Sequence, residues 1–233
     1  MKYKVRRRYI YYLIKALLGL IDLLPIGISV RLGGALGRLA YSFGGKHKKM
    51  ALLNLRSAFG KEKAESEIKL IAKKVFINSG EVLAEIACLP KINKSNIHDF
   101  IDTEGFDKID EALRGGKGAI ILGSHFGNWE LMACYGTIVK GYRLSVIGRR
   151  IYYEKYNKLI VKLREDKGVK VLYRDDKSLL KKIIRLLKNN ELVAIVPDQD
   201  IDSINGVFVD FFGRPAYTPT GPVAISLITG API

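Results

Sequence analysis

His125 and Glu130 are the two side chains of this sequence whose types and spacing best suit proton transfer. They lie within residues 118–130, where a short apolar run at residues 119–122 is followed by small residues and then by an amphipathic segment. Such a run predicts a buried strand that leads through a loop into a helix. An imidazole held by a carboxylate can act as a general base toward an attacking hydroxyl. The pattern therefore predicts a base and its orienting acid, without a nucleophile of their own.

A turn must separate the two side chains if they are to meet. On one continuous helix, positions five apart differ by about 500° and face different sides. If Asn128 caps a helix and Glu130 lies in its first turn, the carboxylate can fold back toward His125, and free backbone N–H groups point into the same space. We therefore expect Glu130 to orient the ring and Asn128 to lie in the site. The alternative is a structural histidine, because this spacing also arises by chance among 23 acidic residues.

Two further charged residues lie where predicted strands or helices end. Asp198 follows an apolar run at residues 192–196, so parallel pairing would place it at the same sheet edge as His125. Arg164 closes the helix predicted before the third strand. Each also has a structural explanation: a loop-capping carboxylate for Asp198, and a favourable cation at a helix C-terminus for Arg164.

The chain after Gly118 alternates between strand and helix patterns, which is typical of a wound, mainly parallel α/β sheet flanked by helices. Strands are predicted at residues 119–122, 144–147, 169–173, 192–196 and 207–211. Helices are predicted at residues 129–139, 152–164, 177–188 and 222–228. Residues 229–233 read as a helix end leading into a strand that has barely begun, so we expect the C-terminal end to be incomplete.

A basic and apolar segment precedes the α/β region. Lysines and arginines at positions 2–8 come before a largely apolar stretch at residues 9–30, which two charges and Pro25 interrupt. We predict a kinked helix embedded in the cytoplasmic leaflet, with a single membrane span as the alternative. The expected domains are a membrane-anchoring helical segment at residues 1–45 and an α/β domain at residues 46–233.

The balance of charge predicts an anionic partner. The formal net charge is +16, from 39 Lys and Arg against 23 Asp and Glu, and the partner classes that this fits are nucleic acid, membrane lipid and an acidic carrier protein. Cys88 and Cys134 are too few and too far apart for a metal or redox motif, so we expect reduced core thiols. Gly33, Gly34 and Gly37 lie in a helical region and are not a nucleotide-binding fingerprint.

The chain resembles the lipid A late acyltransferases, the lauroyl- and myristoyl-transferring branch of the lysophospholipid acyltransferase superfamily. The matching segments are residues 123–130, residues 197–200, and residues 206–213 with Thr218, Thr220 and Gly221 after them. Weaker agreement lies in the basic N-terminal anchor and at residues 54–55. The glycerolipid branch of the superfamily commonly carries a Phe-Pro-Glu-Gly-Thr-Arg block where this chain has residues 196–200, which argues against that branch.

The resemblance implies a glycerolipid-acyltransferase-like fold and an activity at a membrane. The implied reaction moves a fatty acyl group from an acyl carrier protein thioester to a hydroxyl of a lipid A precursor, an anionic glycolipid. The implied location is the inner membrane, with the catalytic domain on the cytoplasmic side and in contact with the membrane surface. We expect no cofactor, no metal and no nucleic acid.

The resemblance also implies roles for particular residues. In the family, the histidine and acid that match His125 and Glu130 are catalytic, and the aspartate that matches Asp198 is functionally important. The family also has a functionally important arginine, which is placed at Arg164 here. The spacing between the motifs constrains this position poorly, so Arg149 and Arg174 are rival positions. The expected substrate-binding residues are Arg164, Asp198, Arg149 and Asn128.

Several alternatives remain open from the sequence. The developing oxyanion could be stabilised by backbone N–H groups near Gly127 and Asn128, or by Arg164. Within the enzyme class, the rival is an acyltransferase that uses another acceptor, such as another glycolipid or a lysophospholipid, or that uses acyl-CoA as donor. A non-catalytic membrane lipid-binding protein is the rival from a different class. A basic nucleic-acid-binding protein is supported by charge alone.

Overall fold

The computed structural model of this protein describes residues 2–199 and 205–233. These residues divide into two compact units. The α/β unit comprises the described residues of Met1–Tyr12, Ile92–Phe208 and Tyr217–Ile233, and the helical unit comprises Leu13–Lys91 and Val209–Ala216. Asp200, the last residue of the 197–200 motif, lies outside the described residues. The division predicted at residue 45 stays a prediction.

Four strands follow one another along the α/β unit: β1 (Ala119–Leu122), β2 (Leu144–Gly148), β3 (Val169–Tyr173) and β4 (Leu192–Ile195). They pair in parallel in the order β1-β4-β2-β3. The predicted parallel sheet is thus confirmed, and the first four predicted strands agree with the observed ones to within a residue at each end.

Helices precede the sheet and alternate with its strands. In chain order they are α1 (Lys2–Leu23), α2 (Ile26–Phe43), α3 (Gly45–Phe59), α4 (Glu65–Cys88), α5 (Phe106–Arg114), α6 (Trp129–Ile138), α7 (Glu154–Glu165), α8 (Leu179–Lys188) and α9 (Gly221–Thr229). Short 3-10 helices lie at Leu89–Lys91 and Ile97–Asp99. The four helices predicted after β1 all form, with ends within two residues of the predicted ones.

Helices cover both faces of the sheet because strand side chains alternate between the faces. Ile120 of β1 and Val193 of β4 pack against the buried face of α8. Their neighbours Ala119 and Leu192 point the other way, toward a cluster that includes Ala133 of α6. The chain moves in one direction from β1 to β2 and in the opposite direction from β3 to β4, so right-handed crossovers place α6 and α8 on opposite faces.

The fifth predicted strand does not join this sheet. It forms as β5 (Gly206–Phe211) and pairs with β6 (Arg214–Pro219) in a separate two-stranded sheet. Only ten residues, 196–205, separate β4 from β5, whereas a crossover to a parallel neighbour needs about a dozen or more. The placement in the wound sheet was therefore wrong. β6 was not predicted, and Pro215 within it weakens the strand pattern.

Close backbone packing joins α2 to α4 in the helical unit. A Cβ atom at Gly37 would overlap the carbonyl oxygen of Phe76, and one at Gly33 would overlap the carbonyl oxygen of Gly80. These glycines therefore serve helix packing, and they lie on a helix as the sequence predicted.

The predicted break in the N-terminal helical region lies at Pro25, between α1 and α2. The Nζ of Lys91 donates to the carbonyl oxygens of Ile21 and Leu24, each at 2.6 Å, and so caps the C-terminal end of α1. Within residues 2–199 and 205–233, none of the helices combines the length and the apolar character that crossing a bilayer requires.

Candidate active site

His125 and Asp198 form the central contact of the site. The ring Nδ1 of His125 lies 2.7 Å from Oδ1 of Asp198, and the backbone N–H of His125 donates to Oδ2 at 2.6 Å. β1 and β4 pair with a constant offset of 73 residues, from Ala119 with Leu192 to Leu122 with Ile195, and His125 and Asp198 are 73 apart as well. The strand register therefore continues into the site and fixes which carboxylate meets the imidazole.

Asp198 is the ionised partner in this contact. Burial would raise the pKa of its carboxyl group, but the hydrogen bonds from the ring and backbone of His125 outweigh that effect and hold the pKa below its usual value. A carboxylate can only accept hydrogen bonds, so Nδ1 must carry the proton and Nε2 has the lone pair. A lowered pKa stabilises the fold above the ordinary carboxyl pKa, and this contribution is lost as the pH falls through the folded-state pKa.

Glu130 is engaged by two other side chains. Nε of Arg164 donates to Oε2 of Glu130 at 2.8 Å and Nη2 donates to Oε1 at 2.5 Å, which is a two-pronged ion pair. The indole N–H of Trp129 donates to Oε1 at 3.1 Å. The ion pair is largely shielded from solvent, with 11% of the Glu130 side chain and 19% of the Arg164 side chain exposed.

The predicted contact between Glu130 and the imidazole is corrected by this geometry. Asp198 occupies the position at Nδ1, whereas the carboxylate of Glu130 faces Arg164 and Trp129. The physical reason is the sheet: β1 and β4 are adjacent and parallel, so residues equally far beyond their ends come together. The connection from Glu130 to His125 runs through Trp129, whose ring makes an edge-on contact with the imidazole at 4.9 Å between centroids.

Asn128 begins α6 as predicted. Its side-chain oxygen accepts a hydrogen bond from the backbone N–H of Leu131 at 2.9 Å, which is the N-cap geometry. Glu130 lies in the first turn of α6, also as predicted, where a negative charge complements the helix dipole. Gly127 has a φ of +60°, a left-handed conformation that glycine adopts without strain. A direct contact of Asn128 with substrate stays a prediction.

An apolar cavity of about 580 Å³ opens beside His125. Its polar lining lies at the carboxyl edge of the sheet, where His125, Glu130 and Arg164 face it. One branch of its apolar lining extends between the sheet and the helices α5 and α6, and includes Phe106, Ile109, Met132, Gly136, Tyr142 and Leu144. The lining also includes Leu179 and Ile183 of α8 and Ile225 of α9. His125 thus lies beside a chamber suited to an aliphatic chain.

Tyr142 forms the floor of this apolar branch, and two contacts hold its side chain in place. Its hydroxyl donates to Oδ1 of Asp110 at 2.5 Å, and its ring stacks on that of Phe106 with 6.2 Å between centroids. Burial and the hydrogen bond to Asp110 raise the pKa of Tyr142 well above its usual value, so the phenol stays neutral. Sequence reasoning missed Tyr142 and Trp129, since aromatic residues in apolar contexts carry no local signal of a site.

Arg149 and Arg174 both line the cavity, and both lie at the carboxyl edge of the sheet. Arg164 is the arginine of the three whose charge is paired with Glu130. The residues that the structure describes include no group of three or more His, Cys, Asp or Glu that could hold a metal ion. Cys88 and Cys134 are buried free thiols, and burial raises the pKa of Cys134 to about 11.

The fold and the site together define an α/β protein in which a histidine–aspartate pair adjoins an apolar chamber. The family model of the bacterial lipid A biosynthesis acyltransferases matches residues 1–233, so the chain belongs to this family. The resemblance inferred from the motifs is therefore confirmed, and the chain is a member of an acyltransferase family.

Individual relatives are identical to this chain at between a quarter and a third of the aligned positions. The phosphatidylinositol mannoside acyltransferase of Mycobacterium tuberculosis is 30% identical over 156 residues, which are 65% of this chain and 49% of that protein. The lipid A biosynthesis lauroyltransferase of Escherichia coli K12 is 29% identical over 232 residues, 97% of this chain and 72% of that protein. The palmitoleoyltransferase of the same strain is 27% identical over 214 residues, 89% of this chain and 66% of that protein. The chain thus spans about half the length of the mycobacterial relative.

The assignment of Asp198 as the partner of the imidazole is tested by the tautomer of His125. In the intact protein at mildly alkaline pH, where imidazoles are neutral, we expect the ring ¹⁵N shifts to show a protonated Nδ1. Asp198→Asn should mix the tautomers, because an amide can also donate a hydrogen bond to the ring. Glu130→Gln tests the rival partner: in folded protein it should leave the Nδ1 tautomer dominant, because the carboxylate of Glu130 bonds to Arg164 and Asp198 bonds to Nδ1. A ring that responds to Glu130→Gln and ignores Asp198→Asn would contradict the assignment.

Proposed function

We propose that this chain is a membrane-associated O-acyltransferase that moves a fatty acyl group from an acyl carrier protein thioester to a hydroxyl of a lipid A precursor. The observation that carries the proposal is the His125–Asp198 pair at the mouth of a 580 Å³ apolar cavity. Membership of an acyltransferase family supports the reaction class. The names of relatives, one a lauroyltransferase and one a palmitoleoyltransferase of lipid A biosynthesis, support the acceptor class.

The proposed reaction is a single acyl transfer with His125 as general base. Nε2 takes the proton of the acceptor hydroxyl while that oxygen attacks the thioester carbonyl carbon. A carbon–oxygen bond forms, the carbon–sulfur bond breaks, and the proton on Nε2 passes to the leaving thiolate. Asp198 holds Nδ1 and stabilises the imidazolium that forms between these steps.

The oxyanion of the tetrahedral intermediate needs hydrogen-bond donors close to His125. Nε and Nη2 of Arg164 are both engaged by Glu130, which favours the backbone N–H groups near Gly127 and Asn128 for this role. These residues directly precede α6, so the positive end of the helix dipole adds to the stabilisation.

Glu130 acts in this proposal as a positioning residue. It holds Trp129 through the indole hydrogen bond, and Trp129 in turn contacts the edge of the His125 ring. Removing the carboxylate would leave the shielded guanidinium of Arg164 unpaired, and breaking a buried pair in this way costs about 3–5 kcal/mol. Changes at Glu130 therefore affect both the position of the ring and the stability of the fold.

A second acceptor class has a specific observation in its favour. The mycobacterial relatives are phosphatidylinositol mannoside acyltransferases, at 30% identity. A glycolipid of that kind also presents a sugar hydroxyl beside a phosphate, so the same base could serve it. Assaying both acceptors side by side separates these two functions.

The catalytic proposal is tested by direct transfer assays. The purified protein is incubated with acyl carrier protein thioesters or acyl-CoA as donors, and with a lipid A precursor or a mannosylated phosphoinositide as acceptors, and the products are weighed by mass spectrometry. We expect His125→Ala to lower the rate by about 10²–10⁴-fold, the usual contribution of a general base. The control is His47→Ala, which removes an exposed histidine of α3 and should retain full activity. Full activity in His125→Ala would refute the mechanism.

We also propose that the apolar branch of the cavity holds the acyl chain and that its floor limits chain length. The branch follows the strands from the His125 edge back to Leu144 and Tyr142 at the opposite edge of the sheet. Four residues of strand span about 13 Å, which bounds the depth available to the chain. Each methylene that fits there gains about 0.8 kcal/mol from burial.

Gly136 provides a test of this chain-length limit. A Cβ at Gly136 would lie 3.5 Å from Cδ2 of Tyr142, an ordinary contact, so Gly136→Ala fits without strain and Gly136→Val narrows the floor further. We expect the products formed from mixed-length donors to shift toward shorter acyl chains, more for Val than for Ala. Gly19→Ala, on α1 with no atom within 4 Å, is the control. An unchanged product distribution in both variants would place the acyl chain elsewhere.

Exposed apolar stripes support attachment to the membrane surface. α2 buries a small-residue face at Ser29, Gly33, Gly34 and Gly37. Its exposed face carries Ile28, Leu32, Leu36, Leu39 and Phe43. Phe43 is 86% exposed and Leu36 is 66% exposed, although a helix of a soluble domain normally turns such residues inward. A face of this kind suits the headgroup region of a bilayer, and the net charge of +16 favours an anionic one.

Co-sedimentation with vesicles tests this attachment. We expect the protein to bind phosphatidylglycerol-containing vesicles, and Leu36→Asp combined with Phe43→Asp to reduce the bound fraction several-fold, because two apolar anchors become charged. Leu180→Asp, a change of the same type at an exposed leucine of α8, should bind like the unaltered protein. Equal binding of all three proteins would show that α2 does not contact the membrane.

A further inference from the structure

Two arginines lie side by side where β2 and β3 end. The strand register pairs Gly148 with Tyr173, and the next residues along the two strands are Arg149 and Arg174. The backbone N–H of Arg174 donates to the carbonyl oxygen of Gly148 at 2.9 Å, so the parallel pairing holds up to these residues. Neighbouring strands are about 4.8 Å apart, which brings the two guanidinium stems close together.

Both arginines are exposed, and both line the cavity that His125 lines. Across residues 2–199 and 205–233, neither guanidinium forms an ion pair. Two other arginines at this edge are neutralised by acids: Arg164 by Glu130, and Arg150 by Asp175, with 3.7 Å between Nε of Arg150 and Oδ2 of Asp175. Among the residues that the structure describes, no acid neutralises Arg149 or Arg174, so these bring two positive charges to the cavity.

Two like charges on adjacent strands repel each other, and this arrangement costs stability while the charges remain unbalanced. The cost is relieved when a single anion lies between them. Guanidinium groups donate in a planar fork that matches phosphate oxygens, and two such groups can hold one phosphate from two sides. A substrate that enters the cavity with an anionic group would find its counter-charges here.

We infer that Arg149 and Arg174 form a phosphate-binding subsite of the substrate cavity, which holds a phosphate group of a substrate while the reacting group lies at His125. The inference rests on the proposed acyl transfer and adds a residue-level recognition site to it. The phosphate could belong to the acceptor glycolipid or to the phosphopantetheine arm of the donor. The chemistry at the two arginines is the same in both cases, so the source is a matter for experiment.

Steady-state kinetics of Arg149→Gln, Arg174→Gln and the double variant test the subsite. Each variant removes a hydrogen bond between charged groups and so weakens the binding of the phosphate-bearing substrate. We expect the KM of that substrate to rise about tenfold to a hundredfold, with little change in kcat. The matched control is Arg150→Gln, at the same edge, whose arginine pairs with Asp175 and packs 3.9 Å over the ring of Tyr173. This control should keep the KM of the unaltered protein.

Two pairs of substrates identify the source of the phosphate. If the acceptor supplies it, the KM penalty disappears when the acceptor is replaced by its dephosphorylated form. If the donor supplies it, the penalty disappears when acyl phosphopantetheine is replaced by acyl pantetheine, which lacks the phosphate. Unchanged KM values in all three arginine variants, for every substrate, would overturn the subsite.

Binding of inorganic phosphate, followed by ³¹P NMR, separates this inference from the proposed function. We expect binding by the unaltered protein, by His125→Ala and by Arg150→Gln, and weaker binding by Arg149→Gln and Arg174→Gln. That pattern in a protein without transfer activity would keep the subsite and refute the acyl transfer. Active protein whose phosphate binding does not depend on either arginine would refute the subsite and keep the acyl transfer.

Discussion

The parallel pairing of β1 with β4 is the constraint on which the site depends. The pairing fixes an offset of 73 residues, and that offset carries past the strand ends to bring Asp198 onto His125. The two residues are far apart in sequence, and neither lies in a regular element. Their contact is maintained by backbone hydrogen bonds of the sheet rather than by local structure. A slip of one residue in the register would turn the flanking side chains to the opposite face and separate the pair.

The ion pair between Arg164 and Glu130 is a second tertiary contact at this site. It joins the end of α7 to the first turn of α6, so the helix that follows the histidine loop cannot rotate freely. Burying two charges is costly, and an apolar pair of similar size would often be at least as stable. The charges are therefore better explained by the contacts they make than by stability: Glu130 accepts the indole hydrogen bond of Trp129, and Trp129 contacts the His125 ring edge-on.

Much of the α/β architecture followed from the sequence, because buried parallel strands and amphipathic helices carry strong periodic signals. The predicted contact between Glu130 and the imidazole was wrong for a physical reason: local spacing shows which side chains can meet, but tertiary pairing decides which do. The offset between the runs at 119–122 and 192–196 would have indicated Asp198 as the partner, had the two strands been known to be neighbours. β6 was missed because proline weakens a strand pattern, and Tyr142 was missed because a single aromatic residue in the loop between α6 and β2 gives no periodic signal.

The order of the strands explains why one cavity adjoins both the His125–Asp198 pair and two arginines. Because β4 lies between β1 and β2, the strand ends present His125, then Asp198 and then two arginines in spatial sequence. The chain order of the strands would have separated His125 from Asp198 by two strands, or roughly 14 Å at the usual strand spacing. The observed order brings His125 and Asp198 together at one end of the edge and places the two arginines at the other, with the apolar branch running back between the strand ends and the opposite edge. The proposed substrate, with an anionic head, a hydroxyl and an aliphatic chain, would match that distribution without any rearrangement of the sheet.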